Sequence, residues 1–474
     1  MTMQHRMTVG LLFAASQGET CSRCSTDPRN HFTDNVGTGF EAGIFSQWPE
    51  SLGLAALRSA NLVEKFANIA RQEYLAVGLR LALHPQVDLA TEHRWARINA
   101  AFGEDADLTS ELVSAYIRGY IRGFQGGAIF GPQSVSTMTE HFLGVDYRRM
   151  GKIHIRVYPG NQFEYHLKPF TAAIAAGASQ MMPYYGMQVG TLYEEIGFAF
   201  NRALITGLLR EDLGIQGIIC TDRELVTQKV IMGQLMPARA WGLEHLSRSA
   251  RIQRIMEAGY DQLGGESCPE LLRKNSSWAS EEIVGNEEFC KLGAEVQRRS
   301  YTLLTNTDNC LPLRPNLHQT AKIYLEGIPT ETVQTYGHQV VEDPTDADIA
   351  LLRLKTPYEP RLGGFESLFH VGSLEFNEEE KAHQAEIVDA VPTVIVDIYA
   401  DRPPVVPEVI QRASADFCPM EAPLTLSWTS FSGKGRLPFG LPSSMEAIQQ
   451  SMSDTPYDTC DPLFRFGHGL RYSA

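Results

Sequence analysis

The chain lacks two features that mark common classes of protein: a long apolar segment and an excess of positive charge. No apolar run approaches the roughly 20 residues that an α-helix needs to cross a bilayer. Acidic residues outnumber basic ones by 56 to 41, which gives a formal net charge of −15. This charge disfavours nucleic acid and anionic membranes as partners. We expect a soluble protein with a neutral or cationic substrate, and we favour the cytoplasm over secretion.

Cysteine is too dispersed to indicate a metal centre. Of the eight cysteines, only Cys21 and Cys24 have the CxxC spacing. A zinc site would need a second such pair or a histidine pair at ligand spacing, so we expect neither a metal nor another cofactor. Residues 6–15 combine one basic residue with a short apolar stretch. They are compatible with a signal peptide or with a first strand, and we favour the strand.

The length and composition fit a two-domain α/β protein. Hydrophobic residues make up 43% and charged residues 20% of the 474 positions, which is ordinary for a protein with a full core. This length accommodates a barrel of about 250 residues plus a second domain. Strand patterns alternate with helical patterns, which is typical of parallel α/β folds. We place the domain boundary in the helical pattern of residues 281–304, giving domains 1–295 and 296–474.

Local patterns predict individual elements in both halves. Helices are predicted at residues 55–77, 194–213 and 377–391, and strands at residues 135–144, 349–354 and 393–399. The glycine-rich and aromatic-rich tail from residue 435 onward is predicted to form loops. Residues 25–53 read as a long loop, a kind of segment that is often functional in compact domains.

The segment from Gly214 to Asp222 carries the strongest single indication of a site. An apolar run follows the glycine turn and ends on Asp222, as in a strand buried on both faces. Barrel enzymes keep their chemistry at the C-terminal ends of such strands. The alternative is that Asp222 only caps a following helix.

Charged residues also gather around Trp95. Glu92, His93, Arg94 and Arg97 are costly to bury unless they are paired, so this segment is either a knot of ion pairs or the wall of a ligand site. A further predicted strand ends on Glu140 and His141.

Several segments together resemble glycoside hydrolase family 3, of the β-glucosidase and β-N-acetylglucosaminidase type. The similarity runs in the family's order over nearly the whole chain. The matching segments are residues 48–50, 83–97, 102–105, the stretch from Gly127 onward, 158–160, 182–185, 214–222, 438–439 and 462–472. The resemblance implies a TIM-type (β/α)8-like barrel, shortened here, followed by an α/β sandwich domain that contributes to the active site. It also implies a retaining β-glycosidase acting on a small carbohydrate or glycoside.

The resemblance assigns two catalytic carboxylates. Asp222 matches the nucleophile, and Glu359 matches the acid/base, with Glu366 and Glu375 as alternatives. A retaining pair stands about 5–5.5 Å apart, and the acid needs a raised pKa.

The resemblance also indicates which residues hold the sugar. Asp27, Arg97 and the neighbouring Arg94, His141 and Tyr184 match the family's substrate contacts. Charge-assisted hydrogen bonds of this kind grip hydroxyl groups well. Asp88 is interpreted as a structural partner of the arginines.

Two substitutions and several deletions depart from the family pattern. Glu140 stands where the family has lysine, and Arg223 stands where an aromatic residue commonly stacks on the sugar. The loop between His141 and Tyr158 is compressed. A barrel that lacks a unit would be open or closed by a second copy, so we keep a homodimer as a candidate assembly. The alternative function is a repurposed scaffold with altered or lost hydrolysis, acting on a natural product or only binding.

Overall fold

The structure is a computed structural model. It describes residues 25–26, 45–76, 79–121, 131, 133–143, 148–149, 153–156, 158–184, 186–222, 225–231, 234–264, 283–311, 313, 321–334, 338–359, 370–418 and 434–471. Cys21, Cys24, Asp27, Arg223, Glu366 and residues 6–15 lie outside these ranges. Within them, no helix combines the length and apolarity required to cross a membrane.

A parallel sheet forms the centre of the first half. Its described strands, in spatial order, are β1 (Ser25–Thr26), β2 (Leu81–Ala82), β3 (Ser136–Phe142), β6 (Gln180–Pro183) and β8 (Ile218–Ile219). All adjacent pairs are parallel, and a parallel bridge from Cys220 to Gln262 extends the sheet by one position. Helical structure follows these strands along the chain, so the predicted parallel α/β architecture of this half is confirmed.

Helices cover the outside of this sheet. In chain order they are α1 (Ser51–Ala56), α2 (Ala60–Ala76), α3 (Ala106–Ile121), α4 (Phe163–Ala175), the π-type helix α5 (Ala203–Asp212), α6 (Arg248–Ala258) and α7 (Glu287–Ser300). The predicted helix at residues 194–213 is interrupted, with a separate 3₁₀ turn at Phe198–Phe200. The predicted domain boundary at residue 295 falls within α7.

Helices α2 and α3 illustrate how the sequence specifies these elements. Asp105 caps α3 by accepting a hydrogen bond from the Leu108 backbone N–H at 2.6 Å, as expected at a helix N-terminus. Tyr116 and Tyr120 lie one turn apart on its buried face and stack on each other. A methyl group at Gly119 would lie 2.5 Å from the Ala67 side chain, so the two helices approach closely at this glycine.

Two small sheets lie beside the barrel strands. Strands β4 (Arg148–Arg149), β5 (Ile153–Arg156) and β7 (Met187–Gln188) form one of them. Strands β9 (Lys229–Ile231) and β10 (Gln234–Met236) form an antiparallel pair. Strands β4 and β5 occupy the segment that the sequence indicates to be compressed.

The second half is built on a six-stranded sheet. Its spatial order is β11 (Thr302–Asn306), β16 (Ala415–Cys418), β15 (Thr393–Tyr399), β14 (Ile349–Lys355), β12 (Lys322–Glu326) and β13 (Gln339–Val341). All pairs are parallel except β11 with β16. Helices α8 (Thr330–Gln334), α9 (Glu378–Ala390) and α10 (Pro407–Arg412) accompany it. Apolar clusters on both faces agree with the predicted sandwich.

The C-terminal tail returns to the first half. It contains the short elements β17 (Leu441–Pro442), α11 (Met445–Gln450) and β18 (Pro462–Phe464), so the prediction of loops alone was wrong. The buried carboxylate of Glu104 accepts backbone hydrogen bonds from Gly440 at 2.8 Å and Tyr457 at 2.7 Å. The carboxylate of Asp454 accepts the Gly160 N–H at 2.8 Å. These bonds fix the tail against the barrel half.

Candidate active site

Six polar side chains lie at the C-terminal edge of the barrel sheet. They follow β2 (Asp88 and Arg97), lie near the end of β3 (Glu140 and His141), follow β6 (Tyr184) and follow β8 (Asp222). Neighbouring parallel strands end on the same side of a sheet, so separate chain segments meet here. All are buried except Arg97, which is half-buried.

Asp222 is positioned by hydrogen bonds that the preceding Thr221 makes to the neighbouring segment, residues 262–264. The Thr221 backbone N–H donates to the Gln262 carbonyl at 3.0 Å, and the Thr221 hydroxyl accepts from the Gly264 N–H at 2.8 Å. Asp222 itself is 7% exposed. The described residues 225–231 form bends and a strand rather than a helix, which disfavours the interpretation of Asp222 as a helix cap.

His141 joins the carboxylates at this edge. Its Nδ1 lies 3.2 Å from Asp88 Oδ2, and its Nε2 lies 4.0 Å from Asp222 Oδ2. When the ring is neutral, it can donate to Asp88 from Nδ1 and accept at Nε2 from Arg97 Nη1, which lies 3.2 Å away. Burial, the largest influence, and Arg97 both lower the pKa of His141. The carboxylates of Glu140 and Asp88 outweigh them, so the pKa is raised from its ordinary value.

Glu140 is compensated within the site. Its Oε2 lies 3.7 Å from Arg97 Nη2 and 3.4 Å from His141 Nε2. Its backbone is bonded to the segment that follows β2: the Glu140 N–H donates to the Pro85 carbonyl at 2.9 Å, and the Glu140 carbonyl accepts the Val87 N–H at 2.5 Å. The negative charge therefore faces two groups that can be positive. Asp88, interpreted above as a partner of arginines, contacts His141.

Arg94 is engaged with a neighbour in sequence. Its Nε and Nη2 each lie 2.7 Å from one carboxylate oxygen of Glu92. His93 Nε2 lies 3.1 Å from the Gly440 carbonyl. The segment around Trp95 thus combines both alternatives, because Glu92 and Arg94 form an ion pair while Arg97 reaches the site.

Tyr184 packs edge-on against His141, with ring centroids 6.4 Å apart. A methyl group at Gly186 would lie 2.0 Å from the Tyr184 ring. Only glycine at position 186 therefore leaves room for this ring orientation.

Glu359 lies in the second half, beyond the C-terminal end of β14. It is exposed, its backbone N–H donates to the Val371 carbonyl at 2.7 Å, and its Oε1 accepts from the Ser373 N–H at 3.2 Å. The preceding Tyr358 stacks on His370 at a centroid distance of 3.9 Å, and His370 Nδ1 lies 2.5 Å from Asp401 Oδ2.

The alternative acid Glu375 accepts the Met445 N–H on its Oε1 at 3.1 Å, at the start of α11. His370, Asp401 and the adjacent Arg402 were missed by sequence reasoning. The signal that identifies Asp222, polar residues directly after a buried strand, also applies to Asp401 and Arg402. In the part of the chain that the structure describes, no group of three or more His, Cys, Asp or Glu side chains is arranged so that it could hold a metal ion.

Solved structures share this architecture. A β-glucosidase from Erythrobacter marinus superimposes with a TM-score of 0.73 over 94% of this chain and 72% of its own, at 17% identity. A β-glucosidase from Listeria innocua in complex with glucose gives 0.70 over 94% and 71%, at 18% identity. At such identities the likeness concerns the fold, which is the barrel-plus-sandwich fold of a class of glycoside hydrolases.

Sequence relatives identify the family. The model of the glycosyl hydrolase family 3 N-terminal domain matches residues 33–262. Probable β-glucosidase C of Aspergillus flavus is 49% identical over 95% of this chain and 76% of its own length. β-Glucosidase C of Emericella nidulans is 48% identical over 94% and 78%. A periplasmic β-glucosidase/β-xylosidase of Dickeya chrysanthemi is 37% identical over 94% and 76%. The chain belongs to glycoside hydrolase family 3 and is a glycoside hydrolase.

Proposed function

We propose that this protein is a retaining β-glucosidase that removes a β-linked terminal sugar through a glycosyl-enzyme intermediate. The observation that carries the proposal is the position of Asp222. A buried carboxylate at the C-terminal end of β8 lies beside His141, at the edge where other strand ends deliver Arg97 and Tyr184. The relatives that share nearly half of the sequence are named β-glucosidases, which supports glucose as the sugar.

Two carboxylates divide the reaction between them. Asp222 attacks the anomeric carbon while Glu359 gives its proton to the glycosidic oxygen, so the bond to the aglycone breaks as the bond to Asp222 forms. Glu359, now a carboxylate, then takes a proton from water, and the water oxygen displaces Asp222 with overall retention. Both groups end in their starting states.

The remaining residues hold and orient the sugar. Arg97 and His141 offer charge-assisted hydrogen bonds to hydroxyl groups, and Tyr184 supplies a wall beside His141. The carboxylate of Glu140 holds the guanidinium of Arg97 in place. Arg94 contributes to the proposed sugar site while it is paired with Glu92. Asp27 and Arg223, which lie outside the described residues, complete the proposed set.

The alternative of a repurposed scaffold is not favoured. The charge reversal at position 140 is matched by Arg97 at 3.7 Å, so it need not place an unpaired charge against the sugar. A repurposed protein would also have no need of Asp222 at this strand end.

The test is hydrolysis of a panel of aryl β-glycosides by the parent and by Asp222→Asn. An amide cannot attack the anomeric carbon, so we expect turnover of the aryl β-glucoside to fall by about 10³-fold or more. Asp212→Asn is the matched control, because Asp212 is an exposed aspartate on the preceding helix and its loss should change little. An Asp222→Asn variant as active as the parent would contradict the assignment.

A further inference from the structure

Arg402 is the most thoroughly buried cation in the part of the second half that the structure describes. It is 0% exposed and follows the end of β15 by three residues. A buried charge is costly unless it is paired and hydrogen-bonded. The contacts that Arg402 makes therefore indicate which part of the structure its buried charge stabilises.

The guanidinium of Arg402 binds two backbone carbonyls. Nη2 donates to the Pro357 carbonyl at 2.6 Å, and Nη1 donates to the Gly372 carbonyl at 3.3 Å. The two carbonyls lie on different chain segments, 15 residues apart in sequence. Arg402 also lies near the negative charges of Asp401 and Glu359, both of which raise its pKa against the larger lowering by burial.

Both segments meet at Glu359. Pro357 precedes Glu359 by two residues, and the other segment supplies the Val371 carbonyl and the Ser373 N–H that bond the Glu359 backbone and carboxylate. Gly372 lies directly under the side chain, because a methyl group there would be 2.4 Å from Glu359 Cδ.

A buried threonine closes the arrangement. The Thr356 hydroxyl lies 3.0 Å from the Arg402 carbonyl and 3.2 Å from the Tyr399 carbonyl. Strands β14 and β15 are paired in register up to Lys355 and Tyr399, so the connection extends this pairing into the loop that carries Glu359.

We propose that Arg402 is a positioning residue that fixes the carboxyl group of Glu359 for proton transfer by clamping the carbonyls of Pro357 and Gly372. The planar fork of a guanidinium binds two acceptors at once, whereas an ammonium group acts as a point charge. General acid catalysis contributes about 10²- to 10⁴-fold, and a displacement of about 1 Å can cost about 10²-fold. This inference rests on the proposed role of Glu359.

Leaving-group dependence distinguishes positioning from a structural role. The 2,4-dinitrophenolate of an aryl β-glucoside leaves without being protonated. The leaving group of an alkyl β-glucoside or of cellobiose needs a proton from the general acid on its glycosidic oxygen. We expect Arg402→Lys to lower kcat/KM about 10- to 100-fold for the poor leaving groups and less than about threefold for the dinitrophenyl glucoside. Arg412→Lys is the matched control, since Arg412 is an exposed arginine of the same half that pairs with Asp389.

Glu359→Gln and the double variant complete the design. Glu359→Gln should show the same leaving-group pattern, and adding Arg402→Lys to it should cause no further loss. If Glu359→Gln shows no such pattern, the assignment of the acid fails and the inference fails with it. If Glu359→Gln shows the pattern but Arg402→Lys reduces both substrates equally or neither, only the inference is overturned. Thermal unfolding monitors folding, and Arg402→Gln, which keeps an amide donor without a buried charge, is measured if Arg402→Lys does not fold.

Discussion

Replacing Glu140 by glutamine tests whether the reversed charge in the site is compensated by Arg97. Oε2 of Glu140 and Nη2 of Arg97 are 3.7 Å apart, and their side chains are 11% and 28% exposed. Two unit charges at this distance attract by about 4 kcal/mol at an effective dielectric constant of about 20. Removing one partner of a buried pair costs about 3–5 kcal/mol. Because Arg97 is partly solvated, we expect a loss of about 2 kcal/mol in the free energy of unfolding.

The assay is urea unfolding of the parent, Glu140→Gln and a surface control. Glu194→Gln breaks the pair with Arg254, whose side chains are 59% and 40% exposed, and should cost less than about 1 kcal/mol. Glu140→Gln should also lower the pKa of His141, because the Glu140 carboxylate is one of the groups that raise it. Glu140→Lys should be more harmful than Glu140→Gln, since it replaces the carboxylate by a cation beside Arg97 and His141. A Glu140→Gln variant as stable as the parent would refute the reasoning.

Two further predictions concern Glu104, which binds the C-terminal tail, and Tyr184 in the proposed sugar site. Burial raises the pKa of Glu104 from 4.5 to about 7, against the hydrogen bonds from Tyr457 and Gly440 that lower it. The folded state then binds more protons than the unfolded state between these values, so stability should fall by about 3 kcal/mol as the pH rises from 4.5 to about 7. Glu104→Gln should remove this slope in urea unfolding at pH 5 and pH 8, and an unchanged slope would contradict the interpretation. Gly186→Ala should displace the Tyr184 ring, raising KM for an aryl β-glucoside by about tenfold and lowering the free energy of unfolding by about 1–3 kcal/mol through overpacking; an unaltered KM would exclude Tyr184 from the sugar site.

Elements with strong local signals could be predicted closely from the sequence. The strand Thr393–Tyr399 has the predicted bounds, and the helix predicted at residues 377–391 is Glu378–Ala390, with Asn377 in a capping box. The apolar run and the cap act within one segment, so no distant contact is needed to set them.

Elements that depend on distant contacts could not be predicted. The helical pattern of residues 194–213 does not show that Gly197 bonds the Trp241 carbonyl and Phe198 bonds the Gly186 carbonyl, which separate the 3₁₀ turn from α5. The tail elements likewise depend on contacts with the first half.

The candidate site divides in the same way. Asp222, Glu140 and His141 could be predicted, because each lies at the end of a strand pattern that can be read within its own segment. The partner of Asp88 and the contacts of Arg402 join segments far apart in sequence, so only the fold reveals them. The domain limits and the homodimer remain predictions.

The most direct test of the proposed mechanism is to trap the glycosyl-enzyme intermediate. A 2-deoxy-2-fluoro-β-glucoside with an activated leaving group forms the covalent species quickly, and its hydrolysis is slow because the fluorine destabilises the positive charge that develops on the sugar ring. We predict one fluoroglucosyl group per chain, found on Asp222 by mass spectrometry of the peptides, and no labelling of Asp222→Asn. Labelling of another carboxylate, or turnover of the aryl β-glucoside without any adduct, would contradict the proposed mechanism.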